Sequence, residues 1–423
     1  MEFTESPEVA EFRTEVRSWM AENLPKLSWP EPPDLESKLP FWQTYQNMLF
    51  EAGYAGLTWS TEFGGQGIDE RRASVFTEEA QNAGAPERLN TIGEDFAGPT
   101  IAHFGTQEQK DTHLRRILTG EDIWCQLFSE PESGSDLASL RTKAVKVEGG
   151  YRITGQKIWT SRAQLASYAI LLARTGGGER HRGISYFILP MDAEGVTVRP
   201  LAHMLGEAEF NEVFLDEVFL PDSAVVGEVD GGWKVAMATL GFERVAIATG
   251  RVNTRQEIEA LMGRIRQVRT SDGSSLGADP AVRGSVADLY GRVVVHTAIS
   301  QRVITGAAGG EPPGEVTSIG KLYFCPLVDD LSDFALSLQP LGGQFDLDDE
   351  FAGVEEASTF DDSGPEGSVP ADSEFGTDLA STDGPGRHWL RLANQGRGTA
   401  IAGGSTYIQR NIVSERILGM PKR

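Results

Sequence analysis

The sequence predicts an α+β fold in three parts: an N-terminal helical domain (1–122), a middle antiparallel β domain (123–230) and a C-terminal helical domain (231–423). Three observations carry this. Apolar residues recur at helical spacing through the first 120 positions, the pattern shifts to period two and short β-rich runs from about 143, and the helical period returns after Gly231-Gly232. Helices, strands and helices thus follow one another in blocks, without internal repeats.

The first helix is predicted to begin at Ser6, a capping hydroxyl, with Pro7 behind it, where a missing N–H removes no bond. Val9, Phe12, Val16 and Trp19 then mark one face. Further helical segments are WQTYQNMLFEAGY and RRASVFTEEAQNAG. The strands are read in KAVKVEGGYRITGQKIWTS, YAILLART, ISYFILPM, GVTVRPL and EFNEVFLDEVFLP, divided by Gly and Pro turns. Helices resume in WKVAMATLGFERVAIATGRVNTRQEIEALMGRIRQV, in VADLYGRVVVHTAISQRVI and, near the end, in WLRLANQGRGTAIAGGSTYIQRNIVSERIL. Between them, about 345–386, lies a tract with thirteen Asp or Glu and no Lys or Arg, poor in aliphatics, which reads as a loosely packed acidic insertion.

The formal net charge of −24 disfavours a nucleic-acid or anionic-membrane partner, because the phosphate interaction is repulsive. Two distant cysteines, Cys125 and Cys325, make a disulfide framework unlikely and fit a reducing compartment. The start MEFTESPEVAEF has no apolar signal region, and no apolar run is long enough to span a bilayer; a cytoplasmic enzyme is expected. The six histidines lack HxxxH or HExxH spacing, so no metal site is expected. No GxGxxG follows a strand and no GKS/T loop is present, which argues against Rossmann dinucleotide chemistry and nucleotide hydrolysis.

The stretch WCQLFSEPESGSDLASL, 124–140, crowds serines, turn-formers and carboxylates into one irregular segment. With TGQKIWTS, NEVFLDEVFLP, GGWKVAMATLGFER and GGSTYIQRNIVSERILGMP in that order, the chain resembles the acyl-CoA dehydrogenase family, in the manner of actinobacterial enzymes of lipid or sterol degradation. The resemblance covers nearly the whole chain apart from the acidic tract. It implies a β domain between two helical domains, the last four-helix-bundle-like, with FAD in the cleft and an acyl-CoA substrate. It also implies electron-transfer flavoprotein as acceptor and a homo- or hetero-oligomer, a dimer or tetramer.

By the same resemblance, Gln126, Phe128, Ser129, Gly134 and Ser135 form the flavin loop, with Ser129 touching the cofactor and Ser135 facing the substrate's pantetheine arm. Short hydroxyls and loop N–H groups suit the hydrogen-bonding edge of an isoalloxazine ring. Position 132 is Glu where the family has Gly. Taken alone, KIWTS reads as an amphipathic strand with a core Trp; its place after TGQ assigns Trp159, Thr160 and Ser161 to the flavin. Gly404, Ser405, Thr406 and Tyr407 match the turn over the flavin or its adenosine half, Gly404 also meeting substrate. Gln339, Gly342 and Gly343 match a segment that reaches a neighbouring subunit's FAD. A second cross-subunit element retains Arg269 and Gly273 but has Asp272 and Pro280 where the family has Phe and Gln.

The reaction requires a carboxylate that abstracts the α proton of the thioester. Most of the family carry it at the position matched here by Gly403, which has no acid–base group. A minority place it on the long helix of the third domain, directly before an Arg, and LGFERVA supplies Glu243 and Arg244 there. Glu243 is therefore expected to be the base, with Arg244 positioning the site and substrate. The degraded cross-subunit element also leaves open a non-catalytic subunit of a heterotetramer.

Overall fold

A computed structural model describes residues 5–32, 35–177, 180–202, 209–250, 253–270, 273–309, 314–338 and 384–421, the side chains at 36, 244–250 and 384–387 excepted. Gln339, Gly342, Gly343, Asp272, the Arg244 side chain and nearly all of the acidic tract therefore lie outside the described residues.

Helix α1 (Pro7–Asn23) begins where the capping pattern places it: Ser6 Oγ accepts from Val9 N–H at 3.4 Å. Its buried Val16 and Met20 join α2 (Leu35–Glu51) and α3 (Glu70–Asn82) in a core that includes Tyr45, Leu49 and Phe76. A single π-helical turn, Gly93–Ala97, leads into α4 (Gly98–Phe104). Helix α5 (Gln107–Thr119) carries a Thr106–Gln109 capping box. The Gln109 amide also donates to the carbonyls of Ser223 (2.8 Å) and Val225 (2.9 Å), tying the first helical part to the strands.

The strands are β1 (Trp124–Leu127), β2 (Lys143–Val147), β3 (Gly150–Ser161), β4 (Tyr168–Arg174), β5 (Ile184–Pro190), β6 (Val196–Leu201), β7 (Phe210–Pro221) and β8 (Val225–Val226). They form one sheet in the order β6-β7-β3-β2-β4-β5-β8, with β1 beside β4. The sheet is mixed, not purely antiparallel: β1 and β2 both run parallel to β4. A two-residue turn enforces antiparallel pairing of β2 with β3, and β5 pairs antiparallel with β4 after a longer connection. The long excursion from 128 to 142 frees β1 and β2 from any such hairpin constraint.

Among the described residues the α-helices that follow are α6 (Gly232–Gly250), α7 (Thr254–Gln267), α8 (Pro280–Ala308), α9 (Val316–Ser337), α10 (Gly384–Ile401) and α11 (Thr406–Ile412). Ile258, Leu261, Val293, Leu327, Leu331 and Trp389 meet between α7, α8, α9 and α10. The helical–β–helical order of the α+β fold is thus realised, and α6 is its hub, packing on α3, α4, β5, α8 and α9. None of the described helices is long and apolar enough to cross a membrane.

Candidate active site

The serine-rich excursion leaves β1 at Leu127 and is fastened to the end of β3. Ile158 N–H donates to Ser129 C=O at 3.0 Å, so the two motifs assigned to the cofactor lie side by side. Within the excursion Glu130 and Ser133 exchange both backbone bonds at 3.0 Å, and Ser133 Oγ donates to Asp136 C=O at 2.8 Å. Ser129 is half-buried, while Gly134 and Ser135 are exposed. Phe128 is buried and Gln126 half-buried at the root of the loop.

Beside it, β3 carries a bulge. Tyr151, Ile153 and Lys157 point into the sheet's core, but the pairing with β7 slips between Lys157 and Thr160. A one-residue slip exchanges the faces. Trp159 is accordingly 57% exposed with φ of 61°, and Thr160 is buried in its place. The reading of Trp159 as a core residue of a regular strand fails for this reason. A left-handed tryptophan is strained by about 1–3 kcal/mol, and such strain clusters at functional sites. Thr160 Oγ1 is buried without a protein hydrogen-bond partner, and Ser161 beside it is half-buried.

Behind both motifs sits a buried ion pair that the motif assignments overlook. Lys157 Nζ, fully buried, donates to Glu130 Oε1 at 2.8 Å and to Phe128 C=O at 3.1 Å. Glu130 also accepts the N–H groups of Arg141 (2.6 Å) and Thr142 (2.9 Å). Burial pushes the Glu130 carboxyl up, but the Lys157 charge and these donors outweigh it and hold it below the usual range. On the lysine side burial prevails over the pair and lowers Lys157 to about 8, which still leaves the pair charged at neutral pH. The alternation itself signals this cation: Lys157 shares the inward parity of Tyr151 and Ile153.

Glu243 lies on α6, half-buried. One turn earlier on the same face, Thr239 is fully buried and bonds Thr100 Oγ1 of α4 at 2.9 Å and Tyr186 OH of β5 at 3.3 Å. Val235 and Ala236 are buried a further turn back. Residue 243 therefore extends the helix face that meets α4 and the sheet. The start of α6 fits closely: a Cβ on Gly232 would come within 2.5 Å of the Ser185 backbone.

The matching C-terminal turn is held from below. Lys321 Nζ on α9 donates to Gly404 C=O at 2.8 Å and to Ala402 C=O, and the Gln409 amide donates to Gly403 and Gly404 carbonyls, each at 3.1 Å. Gly403 and Gly404 have φ of 61° and 82°, the left-handed region that favours glycine. Ser405 caps α11 and Thr406 opens it. Lys321 and Gln409 are thus turn-holding residues absent from the sequence assignments, although Gln409 stands in the IQR motif. Arg269 is exposed in the bend after α7, its guanidinium donating to Arg266 C=O at 2.8 Å.

A β domain between helical domains, with a carboxylate-bearing hub helix and a clamped serine loop, is the architecture of a three-domain dehydrogenase. Family models match three consecutive segments: the acyl-CoA dehydrogenase N-terminal domain (residues 6–121), middle domain (125–218) and C-terminal domain (230–344). The acyl-CoA dehydrogenase IpdE1 of Mycobacterium tuberculosis is 34% identical over 98% of each chain. Two solved structures cover all of this chain and are covered in full. They are the ChsE4-ChsE5 complex of Mycobacterium tuberculosis (28% identity, TM-score 0.81) and the Tcur3481-Tcur3483 steroid ACAD (28%, 0.80). This chain belongs to the acyl-CoA dehydrogenase family, whose members are oxidoreductases acting on the CH–CH bond of acyl-CoA thioesters.

Proposed function

We propose that the chain is an FAD-dependent acyl-CoA dehydrogenase that converts a bulky, steroid-related acyl-CoA to its 2-enoyl-CoA, with Glu243 as the base. The carrying observation is the pairing of Gly403, a glycine where a carboxylate is usual, with Glu243 on the buried-side face of α6. The steroid assignment draws on the full-length likeness to the Tcur3481-Tcur3483 steroid ACAD.

The residues present suit a flavin. Trp159 offers an exposed indole, Thr160 an unpartnered hydroxyl and Ser129 a half-buried one, on two segments bonded to each other. Gln126, Phe128, Gly134, Ser161, Ser405 and Thr406 complete the proposed cofactor contacts; Arg269, Gln339, Gly342 and Gly343 are assigned to a neighbouring subunit's cofactor. Bound FAD supplies a two-electron acceptor for the hydride leaving the β carbon. Glu243 takes the α proton, so the thioester loses one proton and one hydride and gains a double bond. Enclosure by the acyl group raises the carboxylate's proton affinity toward neutrality. Arg244, Gly404 and Ser135 are assigned to substrate. Electron-transfer flavoprotein is the proposed final acceptor, and the cytoplasm the proposed compartment.

Exposed apolar side chains on α8, among them Tyr290, Val294 and Val295, favour assembly with a second subunit. The weakened element around Arg269 and the likeness to the ChsE4-ChsE5 complex favour a homologous partner, and with it the alternative of a non-catalytic subunit. Anaerobic titration of the purified protein with straight-chain, branched and steroid-derived CoA thioesters separates these readings. Yellow protein bleached by a steroid-derived thioester is expected. Colourless protein that gains flavin only on co-expression with a homologous subunit would replace the catalytic reading with the alternative.

A further inference from the structure

Three hydroxyls are buried together where the three parts of the chain meet. Thr100 of α4, Tyr186 of β5 and Thr239 of α6 are each fully buried. Their neighbours Ala97, Ile101, Ile188, Val235 and Ala236 belong to one apolar core. An assignment that uses each hydrogen once runs Tyr186 OH to Thr239 Oγ1 (3.3 Å), Thr239 Oγ1 to Thr100 Oγ1 (2.9 Å) and Thr100 Oγ1 to Phe96 C=O (2.7 Å). Thr239 Oγ1 also lies 3.1 Å from Val235 C=O of its own helix. Phe96 stands in the π-helical turn Gly93–Ala97, which is itself fastened. Glu94 accepts the Gln46 amide (2.7 Å) and Gly56 N–H (3.2 Å) on its carboxylate, and the Trp59 indole N–H (3.0 Å) on its carbonyl. Apolar side chains of similar volume would fill this junction without the desolvation that buried hydroxyls cost. What the hydroxyls add is direction: they fix one helix against two other elements.

The helix so fixed carries the proposed base. Gly232, Val235, Ala236, Thr239 and Glu243 follow one another at helical spacing along one stripe of α6. The stripe is wedged at Gly232 against the Ser185 backbone and tied at Thr239 to α4 and β5. Helical side chains lean toward the helix N-terminus, so the Glu243 side chain covers the turn that holds Thr239. A roll or slide of α6 at this tie therefore carries the carboxylate with it. We infer that Thr239, through its bonds to Thr100 and Tyr186, is a positioning residue that sets the Glu243 carboxylate against the α carbon of the thioester. A misplacement of about 1 Å costs on the order of a hundredfold in rate, and a smaller slackening proportionately less. The inference rests on the assignment of Glu243 as the base.

The test is stopped-flow reduction of the full-length, flavin-loaded protein by a steroid-derived CoA thioester, in Thr239→Val, Thr239→Ser, Tyr186→Phe and Glu243→Gln. Thr239→Val keeps the shape and removes the hydroxyl; it should lower the limiting rate about tenfold and change half-saturation by less than about twofold. Thr239→Ser should restore the rate to within about twofold, and Tyr186→Phe, the milder change, should slow it about threefold. Deuterium at the α carbon should slow Thr239→Val by a larger factor than the unaltered protein, because a misplaced base makes proton abstraction more limiting. Lost stability alone does not move that factor. Independently of turnover, the drop in unfolding midpoint for the Thr100→Val/Thr239→Val double variant should fall short of the sum of the single drops. A rate in Thr239→Val within about twofold of the unaltered protein, while Glu243→Gln is slow, overturns the inference alone. Equal losses in Thr239→Val and Thr239→Ser, an unmoved isotope factor, or additive midpoints do the same. If Thr239→Val fails to hold flavin, an undiminished rate in Tyr186→Phe decides against the inference. An undiminished rate in Glu243→Gln overturns the base assignment and this inference with it.

Discussion

Replacing Glu130 by Gln removes one charge from a pair whose cation has no access to water. Lys157 would keep only the Phe128 carbonyl at 3.1 Å and a neutral amide oxygen. Removing one partner of a buried ion pair is destabilising by about 3–5 kcal/mol. Because the new amide oxygen can still accept from Arg141 or Thr142 N–H, the lower end applies, about 3 kcal/mol for local opening. At 1.4 kcal/mol per factor of ten this is on the order of a hundredfold in the opening equilibrium. Native-state hydrogen exchange reads it directly at the amides of Arg141, Thr142 and Ile158, all bonded into this unit. Adding Lys157→Met to Glu130→Gln should recover much of the protection, since no unpaired charge remains inside. If exchange at these amides stays within about threefold of the unaltered protein in Glu130→Gln, well under 1 kcal/mol, the clamp does not hold the loop.

The pH dependence of the same pair has a defined sign. With Glu130 held below the ordinary carboxylate value of 4.5, its contribution is present above that value and lost as pH falls through the folded-state value. The thermal-stability gap between the protein and Glu130→Gln should therefore be constant from pH 5 to 7 and close below about pH 4.5; a constant gap down to pH 3.5 refutes it. Burial penalises the Lys157 cation, so that penalty is relieved as pH rises through about 8. Gly232→Ala places a Cβ 2.5 Å from the Ser185 backbone and should destabilise by at least about 1–3 kcal/mol, seen as a lower unfolding midpoint. Trp159→Ala should weaken flavin retention by about tenfold while improving backbone strain only slightly, measured by flavin release on dilution.

The three-part organisation is legible because each part declares its period and its caps: Ser6 caps α1, and the period-two runs fall in the sheet. Strand direction is not legible, since alternation is the same for parallel and antiparallel neighbours; hence β1 and β2 beside β4 depart from the antiparallel expectation. The bulge that turns Trp159 outward leaves no mark on composition, and only the pairing with β7 reveals it. Lys157 is visible in the sequence as a charge at an inward position of its strand and Glu130 only as one of several loop carboxylates; their partnership joins residues 27 positions apart and is a product of the fold. The substitution of Gly403 and presence of Glu243 are plain in the sequence; the face on which residue 243 projects comes from Thr239 and its bonds.

The central claim is that the α proton goes to the carboxylate at 243 and to no residue at 403. Stopped-flow reduction of the flavin in Glu243→Gln, against a thioester that bleaches the unaltered protein, tests it most directly. The account predicts full flavin content with reduction slowed at least a hundredfold, the lower range for loss of a general base. Reduction at an undiminished rate in that variant would contradict it.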